Sequence, residues 1–121
     1  MSPFEEEIGF TRALRAGNRI LVSGTVGVMP DGSVAAEAGA QADRCFEEIV
    51  RSIEELGGRA EDVVRVRMYM TDMADADAVS AAFSRALKRA RPVATLIAVA
   101  ALYRAEWKVE IEAEAVVQAG P

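Results

Sequence analysis

Histidine is absent from this 121-residue chain. Its absence rules out Ser-His-Asp and Cys-His catalysis, histidine metal sites and the usual general base. The single cysteine, Cys45, leaves no internal disulfide, redox pair or zinc cluster. It falls on the apolar side of a helical pattern, where packing is expected rather than nucleophilic attack. Chemistry is left to Glu, Asp, Lys, Arg, Tyr, Ser, backbone groups and water. No apolar run reaches the length of a membrane span, and the opening MSPFEEEIGF lacks the basic-then-apolar layout of a signal peptide. The expectation is a cytoplasmic protein with no membrane partner. Positive charge is also short, with 14 Lys and Arg against 19 Asp and Glu, a net charge of −5. Nucleic-acid binding requires a basic footprint. The nearest cluster, Arg85, Lys88, Arg89 and Arg91, reads as a cationic helix end opposing the dipole. No nucleic-acid partner is expected.

Half the residues, 51%, are hydrophobic, which supports a real core, and the length suits a single domain over 1–121. Phe10 to Leu14 alternates weakly, a candidate first strand, and Arg19 to Gly24 is a short apolar run closed by glycine. Pro30-Asp31-Gly32 marks a turn. From Ala36 to Leu56 the period changes: Ala42, Cys45 or Phe46, Ile49, Ile53 and Leu56 form one helical stripe, stopped by Gly57-Gly58. Asp62 to Thr71 returns to period two, with Val64, Val66, Met68 and Met70 opposite Arg65, Arg67 and Tyr69. Asp72 or Asp75 then caps a second helix whose stripe is Val79, Phe83, Ala86 or Leu87, and Ala90, and Pro92 forbids its continuation. Val93 to Leu102 is nearly all apolar, as for a strand buried on both faces, and Trp107 to Val117 alternates most clearly of all.

The expected fold is therefore α/β (α+β), a β-β-α-β-α-β-β mixed sheet with both helices on one face. Its other face would carry Arg65, Arg67, Tyr69, Glu110, Glu112 and Glu114. That pattern is compatible with a solvated face of cross-strand ion pairs. With the apolar 93–102 stripe beside it, it points to subunit association.

Four segments, in order, resemble the Rid family (reactive intermediate deaminase, YjgF-like). They are Gly17-Asn18-Arg19-Ile20-Leu21-Val22-Ser23-Gly24; the helix from Gln41 to Gly58; Val63 through Met73, with its Tyr69 and Asp72; and Val109-Glu110-Ile111-Glu112-Ala113-Glu114-Ala115. The resemblance implies a chorismate-mutase-like fold and a homotrimer whose sheets line a barrel, with three clefts between subunits. It further implies hydrolysis of enamines and imines, such as 2-aminoacrylate and its relatives, to ketoacids and ammonia, with no metal or organic cofactor. One departure matters. The family's substrate-gripping arginine, from a "P-A-R-S/T" stretch, falls on Ala94 within Pro92-Val93-Ala94-Thr95. Alanine cannot supply a bidentate fork to a carboxylate. Activity on aminoacrylate is therefore expected to be weak, and a relaxed grip admits other substrates. The family's N-terminal aromatic maps to Phe10, and its usual cysteine to Leu96 or Ile97.

Glu110 matches the family glutamate that positions the attacking water; the plainer alternative is an ion-pair partner of Arg65 or Arg67. Ser23 and the Gly24 N–H are candidate donors to a ligand oxygen, or an ordinary strand-to-loop turn. Thr95 offers a hydroxyl at the cleft, or is a plain strand residue. Ser80 reads as helix surface. Tyr103, Arg104 and Trp107 frame the last loop as candidate cleft walls, with Trp107 better suited to core or interface. Arg89, Arg91 and Arg104 are the cations from which a replacement for the missing arginine would be drawn. The sequence leaves two functions standing: a hydrolytic deaminase of a small imine, enamine or related carbonyl compound, or a non-catalytic ligand- or protein-binding trimer.

Overall fold

The structure, a computed structural model, describes residues 3–118. Five strands form one sheet in the order β1-β2-β5-β3-β4: β1 (Ala13–Ala16), β2 (Arg19–Val26), β3 (Val63–Met70), β4 (Val93–Ala98) and β5 (Val109–Val116). All neighbours are antiparallel except β3 and β4, which are parallel, so the sheet is mixed. Helices α2 (Ala38–Glu55) and α3 (Ala76–Leu87) are the crossovers leading into β3 and β4. The α2 stripe of Ala42, Cys45, Phe46, Ile49 and Ile53 is buried against Ile20, Val22, Ile111 and Ala113 of the sheet. Both Cys45 and Phe46 face inward. Gly57 ends α2 in the left-handed region, at φ 91°. Burial pushes the Cys45 thiol up to about 12, with the charge of Glu110 adding to the effect. The cysteine is thus a packed core residue that remains protonated. Among the described residues no helix is long and apolar enough to cross a membrane.

Five expectations are corrected. A helix α1 (Pro3–Ile8) precedes the sheet, with Glu5 and Glu6 in its first turn and Gly9 at φ 98° after its end. Proline at the start, acids in the first turn and a closing glycine are recognisable helix signals. The first strand accordingly begins at Ala13 rather than Phe10. In β3, Val64 is exposed, because the β3–β5 register slips between Val63 and Arg65; Val63 takes the core position instead. Asp72 caps a short 3₁₀ turn, accepting from the Ala74 N–H at 2.9 Å, while Asp75 begins α3 without a side-chain bond. The β5 strand starts at Val109, which leaves Trp107 in the loop before it.

The fifth correction concerns 93–102. Its strand stops at Ala98 and forms the sheet edge, with Val93 58% and Ile97 43% exposed. An edge strand has a neighbour on one side only, and here only Leu96 packs against the core. In the single chain the apolar content of β4 is therefore presented rather than buried.

Candidate functional site

β1 pairs with β2 only as far as Ala13 opposite Val22. Beyond that point β2 runs on without a strand on its outer side, and its pairing with β5 shifts between Val22 and Thr25. Such a bulge places Ser23 and Gly24 out of step with their partner strand and bends the edge locally. A pocket of about 620 Å³ opens here. The N-terminal segment covers it with Phe4, Glu5, Phe10 and Arg12. The 23–30 stretch, Arg44 and Glu48 of α2, and Tyr103, Trp107 and Glu110 complete the wall.

Glu110 is set apart by its neighbours. On β5 it lies opposite Val26 of β2 and Tyr69 of β3, so neither flanking residue is a cation. Among the described residues it forms no ion pair. Its carboxylate folds over the bare Cα of Gly24. A Cβ at that glycine would stand 3.0 Å from Glu110 Cδ and closer still to the carboxylate oxygen. Half-burial raises the carboxyl above its ordinary glutamate value, and the charge of Glu112 raises it further. Tyr69 brings no relief, since its hydroxyl donates to Glu112 Oε1 at 2.8 Å. The alternative reading of Glu110 as an ion-pair partner of Arg65 or Arg67 is not what the structure has. Arg67 reaches Glu112 at 3.2 Å and Glu114 at 3.7 Å, and Arg65 stands opposite Glu114.

The α2 side of the pocket is held by charge. Glu48, 7% exposed, takes Arg44 at 2.5 Å and Arg51 at 2.6 Å, and Arg44 Nε donates to the Val28 carbonyl at 3.1 Å. This network ties the strand end to the helix. The opposite wall is aromatic. Phe4 meets Phe10 edge-on at 6.0 Å and Tyr103 at 5.7 Å, and Tyr103 meets Trp107 at 6.3 Å.

Phe10, Ser23, Gly24, Tyr103 and Glu110 thus share one pocket, although they come from four separate stretches of chain. Ser23 Oγ donates to the Thr11 carbonyl at 2.6 Å and its N–H to the Arg12 carbonyl at 2.8 Å, so both groups pin the N-terminal segment. Arg104 lies over the rings of Tyr103 and Trp107, 5.9 Å from each ring centre, and is not among the residues that line the pocket. Ala94 and Thr95 are not brought in. They lie on exposed β4, two strands from Glu110. Arg89 lines a separate hollow at the end of α3, and Ser80 is exposed on that helix. Phe4, Arg12, Arg44 and Glu48 were not foreseen. Only the i,i+4 spacing of Arg44 and Glu48 was available as a signal. Among the described residues no three acidic or cysteine side chains converge as metal ligands.

Residues 3–117 match the family model described as endoribonuclease L-PSP. An uncharacterised protein of Streptomyces coelicolor is 35% identical over 115 residues, 94% of this chain and 86% of that protein. The 2-iminobutanoate/2-iminopropanoate deaminase of Escherichia coli is 31% identical over 111 residues, 88% of this chain and 86% of the enzyme. The crystal structure of Rv2704 from Mycobacterium tuberculosis, a member of the YjgF/YER057c/UK114 family, superimposes with a TM-score of 0.88 at 34% identity. It covers 96% of this chain and 93% of that one.

Proposed function

Because the chain belongs to the endoribonuclease L-PSP family, the YjgF/RutC/Rid proteins, we propose that it is a hydrolytic deaminase of an imine, enamine or related carbonyl compound. It works in the cytoplasm as a homotrimer, without metal or organic cofactor. The observation that carries this reading is Glu110: a carboxylate with no ion pair among the described residues, half-buried over Gly24 in the aromatic-lined pocket.

A carboxyl that burial and a neighbouring negative charge hold above its ordinary value is a stronger proton acceptor than a free one, and one carboxylate can both take and return a proton. Glu110 takes a proton from a water molecule as the water oxygen attacks the C=N carbon, and passes that proton to the nitrogen. It then relays the hydroxyl proton of the resulting carbinolamine to the nitrogen as the C–N bond breaks. Ammonia leaves and a carbonyl remains. Oxygen ends on carbon and both water protons on nitrogen, so no redox partner enters. An enamine joins the same path after protonation at carbon.

The trimer is supported by exposed β4, whose Val93 and Ile97 extend an apolar sheet edge. In the single chain Ala94 and Thr95 stand apart from Glu110, and a cleft shared between subunits is the arrangement that unites them. Ala94 in place of a guanidinium argues against small carboxylated enamines as preferred substrates. It also favours the second reading, a ligand-binding trimer without turnover. RNA cleavage fits poorly with a net charge of −5.

Glu110→Gln decides between catalysis and binding. Turnover on an accepted imine should fall about a hundredfold, the usual weight of a positioned acid–base group, while light scattering shows the parent's assembly state. Unchanged turnover in the variant contradicts the role given to Glu110. If the parent protein is inert across a panel of imines and enamines yet binds small acids or ketones, the binding reading replaces it.

A further inference from the structure

This chain has seven aromatic residues, and four of them, Phe4, Phe10, Tyr103 and Trp107, line the pocket that holds Glu110. They form a continuous series of ring contacts from 5.7 to 6.3 Å. Three are well exposed, Tyr103 at 75%, Phe4 at 45% and Phe10 at 41%. Contiguous exposed aromatics are costly in water and mark a surface that receives something apolar. At about 620 Å³ the pocket lies within the range of sites for drug-sized ligands, and a four-carbon imino acid fills only a small part of it. Arg12 also lines this pocket; its side chain forms no ion pair among the described residues, and its backbone N–H is anchored by Glu5 Oε1 at 3.0 Å. Arg44, the other cation of this wall, is held by Glu47 and Glu48.

We infer that the ligand of this pocket is an acid with a planar aromatic body, its ring against Phe4, Phe10 and Tyr103 and its acid group on Arg12. The inference rests on the functional reading above and narrows its substrate class, from imines and enamines in general to aryl-bearing imino acids. Arg12 supplies from the N-terminal segment the charge that Ala94 does not supply from β4. It is a specificity residue; Glu110 keeps the proton transfers.

Binding tests this without requiring turnover. Trp107 is the only tryptophan, and it lies in the pocket wall, so its fluorescence reports occupancy, with calorimetry as a second measure. The probes are 3-phenylpropanoate, propanoate and the uncharged 3-phenylpropan-1-ol. The aromatic acid should bind at least about tenfold more tightly than propanoate, because a buried ring adds apolar area and ring contacts. Arg12→Gln should weaken the aromatic acid about tenfold and leave the alcohol within about twofold, the signature of one charge-assisted contact. Tyr103→Ala should erase most of the advantage over propanoate. Equal binding of propanoate and 3-phenylpropanoate overturns the inference. So does an Arg12→Gln variant that weakens acid and alcohol alike. If Tyr103→Ala breaks up the assembly and leaves the aromatic preference intact, the rings are a subunit contact and the inference also falls.

Turnover of 2-imino acids generated in situ by a flavin amino-acid oxidase separates this inference from the functional reading. Faster hydrolysis of the phenylalanine-derived imine than of the alanine-derived one supports both. The reverse preference overturns the aromatic ligand and leaves the deaminase standing. Aromatic preference in binding with no accelerated hydrolysis keeps the ligand class and removes the deaminase.

Discussion

Glu110, Glu112 and Glu114 leave β5 on the same face, two residues apart, and meet different surroundings. Glu112 is opposite Arg67 and bonded to it and to the Tyr69 hydroxyl; Glu114 takes Arg19 and Arg67 at 3.2 and 3.7 Å. Glu110 has Tyr69 and Val26 across from it, a glycine under its carboxylate and an aromatic-lined pocket around it. One end of the strand is neutralised by cross-strand cations. The other holds a carboxylate at a cost, which is the usual condition of a group kept for chemistry. Like residues on one strand acquire unlike roles because register, rather than composition, assigns their neighbours.

Glycine substitutions break this comparison most sharply. A Cβ at Gly24 meets the movable end of Glu110, whereas a Cβ at Gly27 meets the Gln41 backbone, with its carbonyl oxygen at 2.6 Å and its Cα at 2.8 Å. Gly24→Ala should therefore displace the carboxylate and lower turnover about a hundredfold, the scale of a misplacement near 1 Å, with little change in melting temperature. Gly27→Ala should leave no such easy escape and destabilise by about 1–3 kcal/mol. Thermal melts beside turnover on both variants check the contrast. Two equally stable and equally active variants would mean that Gly24 does not seat Glu110.

At the paired end the expected effect is small. Arg67 is 40% exposed at its side chain, and ion pairs in such positions contribute about 0–1 kcal/mol. Arg67→Ala should lower stability by less than about 1 kcal/mol in denaturant titration, and less still at high salt. It should leave turnover within about twofold. A large activity loss would tie the paired carboxylates to the site after all.

Much of the fold was legible because periodicity reports which face a residue buries. The α2 stripe, the alternation in β5 and the two crossover helices all followed from spacing alone. The edge position of β4 was not legible, since an apolar run has the same composition whether a sheet neighbour or another molecule covers it. Val64 escaped because a bulge shifts the phase of an alternation that otherwise looks intact. The candidate site was legible only in parts. Ser23 and Gly24 closed a strand and Glu110 lay in a recognisable motif, but the lone state of Glu110 depends on pairing with Tyr69 and Val26. Arg12 and Phe4 carry no local pattern that marks a pocket wall; they arrive through the helix–turn at Gly9 and the hydrogen bonds from Ser23 and Glu5's contact with Arg12.

The isolation of Glu110 is tested most directly by the melting temperatures of the parent and Glu110→Gln across a range of pH. A glutamate whose folded-state value is raised favours folding in its protonated form. Its relative stability is complete below the unfolded value and is lost as pH rises through the raised one. Glutamine stands in for the protonated carboxyl at every pH. The variant should therefore match the parent in acid, below the ordinary carboxylate range, and become the more stable of the two as pH rises to neutral. A variant that matches in acid but melts below the parent at neutral pH would show that the ionised carboxylate is stabilised by a cation, and would contradict an unpaired Glu110.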